Sequence, residues 1–111
     1  MTKVVTLKNE KDFAHSRFKK SFSSQTLRLR VAQSHEAAPR FGFIIPKKVM
    51  PKVTDRNKVK RRMKVIAGKY LKNLKPADIL IFPQKTSLKL TFPSLETELV
   101  NDFKRLNLWK S

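Results

Sequence analysis

Between Val49 and Tyr70 the chain reads Val-Met-Pro-Lys-Val-Thr-Asp-Arg-Asn-Lys-Val-Lys-Arg-Arg-Met-Lys-Val-Ile-Ala-Gly-Lys-Tyr, a loop that feeds a helix. Thr54 or Asp55 is placed to cap the N-terminus by accepting from a free backbone N–H of the first turn. Val59, Met63, Ile66 and Tyr70 recur at helical spacing, so they share one side and require a core. Asn57, Arg61, Lys64 and Gly68 fall nearly opposite that stripe, with Lys60 at its border and Lys58, Arg62 and Lys69 on the flank. The predicted helix is apolar on one face and cationic over most of the rest.

That charge is too concentrated for an ordinary solvated helix. From Lys47 to Lys64, nine of eighteen residues are Lys or Arg, against one acid, Asp55. Even spacing of the chain's 26 basic residues would put about four there. A surface helix ordinarily alternates sign and gains i,i+4 pairs; this one stacks like charges at that spacing, which costs stability until a polyanion arrives. The net charge of +18 over 111 residues extends the same footprint to the whole chain. A length of 111 residues fits a single domain, 1-111, with one modest core. Cysteine is absent, which excludes a disulfide framework and a cysteine-based zinc site. No apolar run approaches the ~20 residues of a membrane span, and the N-terminal run is too short for a secretory signal. A soluble, cytoplasmic protein is the expectation.

The flanking segments supply the core. Asn9 is placed to cap a first helix carrying Phe13, Arg17 and Phe18, with Phe22 in a Ser-rich exit. These aromatics are read as core first and as a stacking platform second. Leu27-Arg-Leu-Arg-Val alternates strictly, a half-buried strand with Arg28 and Arg30 on its second face. His35 to Pro39 resembles a hairpin turn, and Arg40-Phe-Gly-Phe-Ile-Ile a strand covered on both sides, with Gly42 allowing close approach. The basic helix is expected to end near Asn73, because Lys75-Pro76 cannot continue it. Asp78-Ile-Leu-Ile-Phe is a second buried strand. Pro93 opens a last helix with Leu95, Leu99, Phe103 and Leu106 as its stripe. The order is helix, two or three strands, helix, strand, helix: an α+β fold around one small sheet.

Catalytic constellations are scarce. The eight carboxylates are scattered and make no acidic cluster of the kind that holds two metal ions. His15 and His35 lack ligand spacing, and two glycines exclude a glycine-rich phosphate loop of the usual kind. Binding is the better-supported job: long cations contact phosphates, Arg and Asn add hydrogen bonds, and Phe13, Phe18, Phe22 and Tyr70 offer faces for unpaired bases.

The run Gly42-Phe-Ile-Ile-Pro-Lys47-Lys48-Val49, followed by Arg56-Asn57-Lys58-Val59-Lys60-Arg61-Arg62-Met63-Lys64, resembles the protein subunit of bacterial ribonuclease P. That family shows a Gly-Phe strand, a Lys-Lys-Val loop and a helix bearing Arg-Asn-Arg-x-Lys-Arg-x-x-Arg. Arg56, Asn57, Lys60 and Arg61 match, while Lys58 and Lys64 stand where arginine is usual, keeping charge but not planar bidentate binding. Leu7 to Phe13 and the segments Asp78-Ile-Leu-Ile and Leu90-Thr-Phe also look like the family's first helix and last strand–helix unit. The resemblance implies helix-strand-strand-strand-helix-strand-helix around a central mixed sheet, with a left-handed crossover through the basic helix where the general rule favours the right-handed one.

It further implies that the catalytic centre lies in a partner RNA, with Mg2+ bound mainly there and no catalytic residue or metal ligand in the protein. The holoenzyme would remove the 5′ leader from precursor tRNA without needing another protein. The catalytic RNA would be bound by Lys47, Lys48, Arg56, Asn57, Lys58, Lys60, Arg61 and Lys64. The single-stranded leader would lie in a cleft between the basic helix and the sheet, on Phe13, Arg28, Arg30 and, less securely, Phe18. Phe13 and Phe18 are five apart where the family often has aromatics four apart, and Arg30 replaces a frequent aromatic. Met50-Pro51 replaces a Gly-Asn pair, which stiffens the loop. Two other readings stand beside this one: a ribosomal or chaperone-like protein that binds structured RNA without a reaction, and a DNA-binding basic helix. The latter lacks a zipper or helix-turn-helix pair.

Overall fold

The computed structural model describes residues 5–6, 18–32 and 39–110. Strands β1 (Val5–Thr6), β2 (Phe18–Ser23), β3 (Leu27–Ala32), β4 (Arg40–Phe43) and β5 (Asp78–Pro83) form one sheet in the order β1-β4-β5-β3-β2. Helix α1 (Val53–Lys69) joins β4 to β5, and helix α2 (Phe92–Arg105) follows β5. The β1/β4 and β4/β5 pairs are parallel; β2/β3 and β3/β5 are antiparallel. The mixed sheet of an α+β fold is therefore present. The expected first helix and hairpin turn fall largely outside the described residues.

Alternation divides the sheet into two faces. Leu27, Leu29 and Val31 enter the core with Phe41, Ile79 and Ile81, and meet Val59, Met63, Ile66 and Ala67 of α1 and Leu95, Leu99 and Phe103 of α2. Both helical stripes read from the sequence are thus buried, with Tyr70 half-buried at the end of the first. Fully burying a Leu, Ile or Met side chain is worth about 1.5–3 kcal/mol each, so this layer holds the two helices to the sheet. On the second face Arg28 pairs across with Phe82, Arg30 with Leu80 and Ala32 with Asp78; Leu80 is also opposite Gly42, and Asp78 opposite Arg40.

Four expectations need correction. Phe18 opens strand β2 instead of closing a helix: Lys20 and Phe22 lie opposite Val31 and Leu29, so cross-strand pairing overrides a weak helical period. Strands β3 and β4 do not form a hairpin, because β5 inserts between them and pairs with both. The cap is also displaced. Helix α1 begins at Val53 after an extended Lys52, with no side-chain cap, so Thr54 and Asp55 lie in its first turn, where Asp55 still complements the helix dipole. Finally, α1 ends at Lys69, and Leu71–Asn73 is a separate 3-10 turn before Pro76.

Helix α2 follows its sequence signals closely. Thr91 accepts from the Ser94 N–H at 3.3 Å, with Pro93 in the first turn. At the other end Asn107 takes φ 58°, the left-handed conformation that Asn tolerates. Leu108 N–H reaches the Phe103 carbonyl at 2.9 Å and Asn107 N–H the Lys104 carbonyl at 3.1 Å, the paired closure of a Schellman motif. That reversal sends the tail back to the 3-10 turn. Lys75 N–H donates to Leu108 O and Lys110 N–H to Asn73 O, each at 2.7 Å.

Candidate nucleic-acid interface

The basic loop is set by what it buries. After β4, Ile45 and Met50 are buried and Val49 half-buried, so the exposed Lys47 and Lys48 are carried on a turn closed by Val49 and Met50 N–H groups donating to Pro46 O. Met50 is 2% exposed. The Met50-Pro51 pair thus anchors the loop in the core as well as restricting it.

Arg56 secures the same loop from the helix. Its Nη1 donates to Met50 O at 2.8 Å and to Pro51 O at 3.0 Å, satisfying two carbonyls that no helix or strand serves. Sequence reasoning assigned Arg56 to RNA alone; the structure gives one guanidinium nitrogen to the loop. Arg62, on the flank, donates from Nη1 to Leu90 O at 3.3 Å and ties α1 to the segment before α2.

The remaining side chains of the ridge, four cations and the Asn57 amide, have no such hydrogen bond among the described residues. Asn57, Lys58, Arg61 and Lys64 are exposed, and Lys60 is half-buried at the border of the stripe. Three ion pairs occur among the described residues: Arg40–Asp78, Lys69–Glu96 and Arg105–Asp102. None involves the stretch from Lys47 to Lys64. Lys69 instead closes the end of α1. Glu96 Oε1 accepts from Lys69 Nζ at 2.7 Å and from Tyr70 OH at 2.5 Å. These hydrogen bonds, the one from Lys69 first, hold the Glu96 carboxyl below its usual range.

The second sheet face carries the other candidates. Arg28 and Arg30 are exposed, and the Arg30 guanidinium lies over the Phe82 ring, 5.8 Å from its centroid. Phe82 was absent from the sequence-based set, although its place two residues beyond Leu80 puts it on this face by strand alternation. Leu80 is buried here, outside the main core, and Gly42 presents backbone beside it. At one end of the face, Asp78 accepts from Arg40 Nε and Nη2, both at 2.8 Å, a bidentate pair that neutralises a carboxylate 1% exposed. Phe13 lies outside the described residues. Phe18 lies on the edge strand β2, opposite Ala32.

Basic helix, lysine loop and arginine-bearing sheet face can together bind a polyanion and offer an aromatic surface to a base. Among the described residues, no group of three or more His, Asp or Glu side chains could hold a metal ion. No described helix is long and apolar enough to cross a membrane.

Residues 1–107 match the profile of the Ribonuclease P family. The fold is similar to that of the Staphylococcus aureus RNase P protein, with a TM-score of 0.82 at 17% identity, covering 97% of this chain and 100% of that one. A further Staphylococcus aureus RNase P protein structure gives 0.73 at 18% identity over 100% and 97% of the two chains. The Thermotoga maritima RNase P protein gives 0.71 at 25% identity over 78% and 82%. No curated protein matches the sequence. Structural likeness at these lower identities speaks for the fold, and the profile match, which spans nearly the whole chain, speaks for the family. The chain belongs to the Ribonuclease P protein family, the protein subunits of the endoribonuclease that processes tRNA.

Proposed function

We propose that this subunit binds the catalytic RNA of ribonuclease P through Lys47, Lys48 and the outer face of α1, and holds the single-stranded 5′ leader of precursor tRNA against the second sheet face. The observation that carries this reading is the division of α1. Val59, Met63 and Ile66 are buried, while Asn57, Lys58, Arg61 and Lys64 stand exposed with no acidic partner among the described residues. Such a ridge is costly alone and favourable against phosphates. On the sheet, Arg28 and Arg30 supply charge and Phe82 an aromatic surface, a combination that suits unpaired nucleotides. The scatter of the carboxylates supports leaving magnesium mainly to the RNA and the bond-breaking step outside the protein's side chains.

The test is reconstitution. Added to ribonuclease P RNA at low magnesium, the protein is expected to restore cleavage of precursor tRNA. Tight binding to structured RNA without restored cleavage would favour the chaperone-like reading instead. Holoenzyme affinity is expected to rise with leader length over the first several nucleotides and then plateau, since stacking is worth ~1–3 kcal/mol per base. Equal affinity for mature and precursor tRNA would remove the leader from the proposal.

A further inference from the structure

Arg56 is bound to its own chain both by its backbone and by its side chain. Its backbone N–H donates to Lys52 O at 3.2 Å, and its Nη1 donates to Met50 O at 2.8 Å and to Pro51 O at 3.0 Å. Three successive carbonyls, all in the segment that leads from the lysine loop into α1, therefore accept from one residue.

Those carbonyls answer an electrostatic problem. From Ile44 to Lys52 the chain carries three lysines and no acid, and Arg56, Lys58, Lys60 and Arg61 follow on α1. Like charges at this density push loop and helix apart. Asp55 forms no ion pair among the described residues, so no acid bridges the two. A cationic helix still holds a cationic loop through neutral acceptors, and hydrogen bonds from a charged donor are the stronger kind. Ile45 and Met50 anchor the loop in the core on either side of the exposed Lys47 and Lys48. Arg56 fastens the Met50 side of it to the first turn of the helix.

We propose that Arg56 is a positioning residue for RNA: it locks the lysine loop to α1, so that Lys47 and Lys48 meet the RNA at a fixed place relative to the ridge of Lys58, Arg61 and Lys64. The proposal rests on the RNA-binding reading above and gives Arg56 a role other than touching phosphate. A loop already held needs no ordering when RNA arrives, so its contacts count in full towards affinity.

The free protein and its affinity for ribonuclease P RNA are read separately. Arg56→Gln should melt near the wild-type temperature, because the hydrogen bond to Pro51 lies at the surface, where water can take its place. Backbone amide order parameters from NMR at Lys47 and Lys48 should fall from about 0.85 in the wild type to below about 0.6 in the variant. Met63, farther along the same helix, should keep its value.

Affinity is then measured in a double-mutant cycle. The pair Lys47→Gln, Lys48→Gln should weaken binding by a factor at least about threefold smaller in the Arg56→Gln background than in the wild type. Lys58→Gln removes a neighbouring charge without touching the loop carbonyls, and its effect should combine with that of the loop pair to within about twofold. Unchanged order parameters at Lys47 and Lys48 overturn the locked loop, whatever the RNA result. A loosened loop with independent effects of Arg56→Gln and the loop pair overturns the positioning role and leaves the RNA-binding reading intact. The same coupling with Lys58→Gln also overturns it, since any lost charge would then act alike. A loosened loop with no change of affinity in any variant removes the RNA-binding reading and the positioning role with it.

Discussion

Single residues in this structure are decided by the company they keep, and Asp102 shows it most plainly. It lies on α2 and is 3% exposed, with Arg105 Nη1 at 3.5 Å from one carboxylate oxygen. Its Oδ2 has no hydrogen-bond partner among the described residues. Burial pushes the carboxyl up to about 6, the nearby Arg105 opposes that, and Glu98 adds to it. The raised value means that the folded state keeps a proton the unfolded chain has released. Stability from this group therefore falls as pH rises from about 4 through about 6, and the full penalty stands above that window. At ~1.4 kcal/mol per pKa unit the penalty is at most about 3 kcal/mol. Asp102→Asn is expected to be more stable than the wild type at pH 7 by up to that amount, with the difference shrinking towards pH 4. Urea denaturation of both proteins across that range checks it, and a pH-independent difference would count against the assignment. Arg56 teaches a different lesson. Its type and position mark it for RNA in the sequence, while its hydrogen bonds to Met50 and Pro51 depend on a loop path that no spacing rule encodes.

Elements were legible wherever one period dominated. Strand β3 alternates Leu and Arg over its first four residues, and both α1 and α2 place their stripes where 3.6-residue spacing puts them. Legibility failed where partners are distant in sequence: Phe18 gains its conformation from Ala32 across β2 and β3, and β5 separates β3 from β4 although it is made 35 residues after β4 ends. The division of α1 into two faces yields a paired prediction. Arg61→Ala with Lys64→Ala alters exposed positions and should change stability by no more than ~0.5 kcal/mol per site, with relief of like-charge repulsion working in its favour. RNA affinity should fall, with a salt slope shallower by roughly 0.7–0.9 per lost phosphate contact. Met63→Ala empties a core position that is 0% exposed and should cost about 2–5 kcal/mol. Its RNA binding, measured where it remains folded, should stay near normal. Denaturation curves and RNA titrations at several salt concentrations separate the two variants. A double charge variant that unfolds readily while keeping its salt slope would mean that the faces are assigned backwards.

At the scale of the whole molecule the governing quantity is a net charge of +18, set against three ion pairs among the described residues. Folding gathers these cations into a small volume, and the core beneath the sheet must offset their repulsion. Salt screens that repulsion over about 10 Å at 0.1 M, a reach comparable to the spacing of neighbouring charges on the surface. The free protein should therefore gain stability as ionic strength rises from about 0.02 to 0.2 M. RNA acts in the opposite sense. A ligand bound only by the folded state stabilises it by about 2.7 kcal/mol at a concentration 100 times its Kd. Because each phosphate contact releases counterions, that Kd weakens steeply over the same range of salt. The melting temperature of the free protein and that of the RNA complex should thus approach each other as salt is added, one rising while the other falls. The two curves are measured by thermal denaturation at fixed RNA concentration. A free-protein melting temperature that drops with added salt would show that its cations are already compensated within the fold, and would take away the physical basis for reading the basic ridge as an unfilled RNA surface.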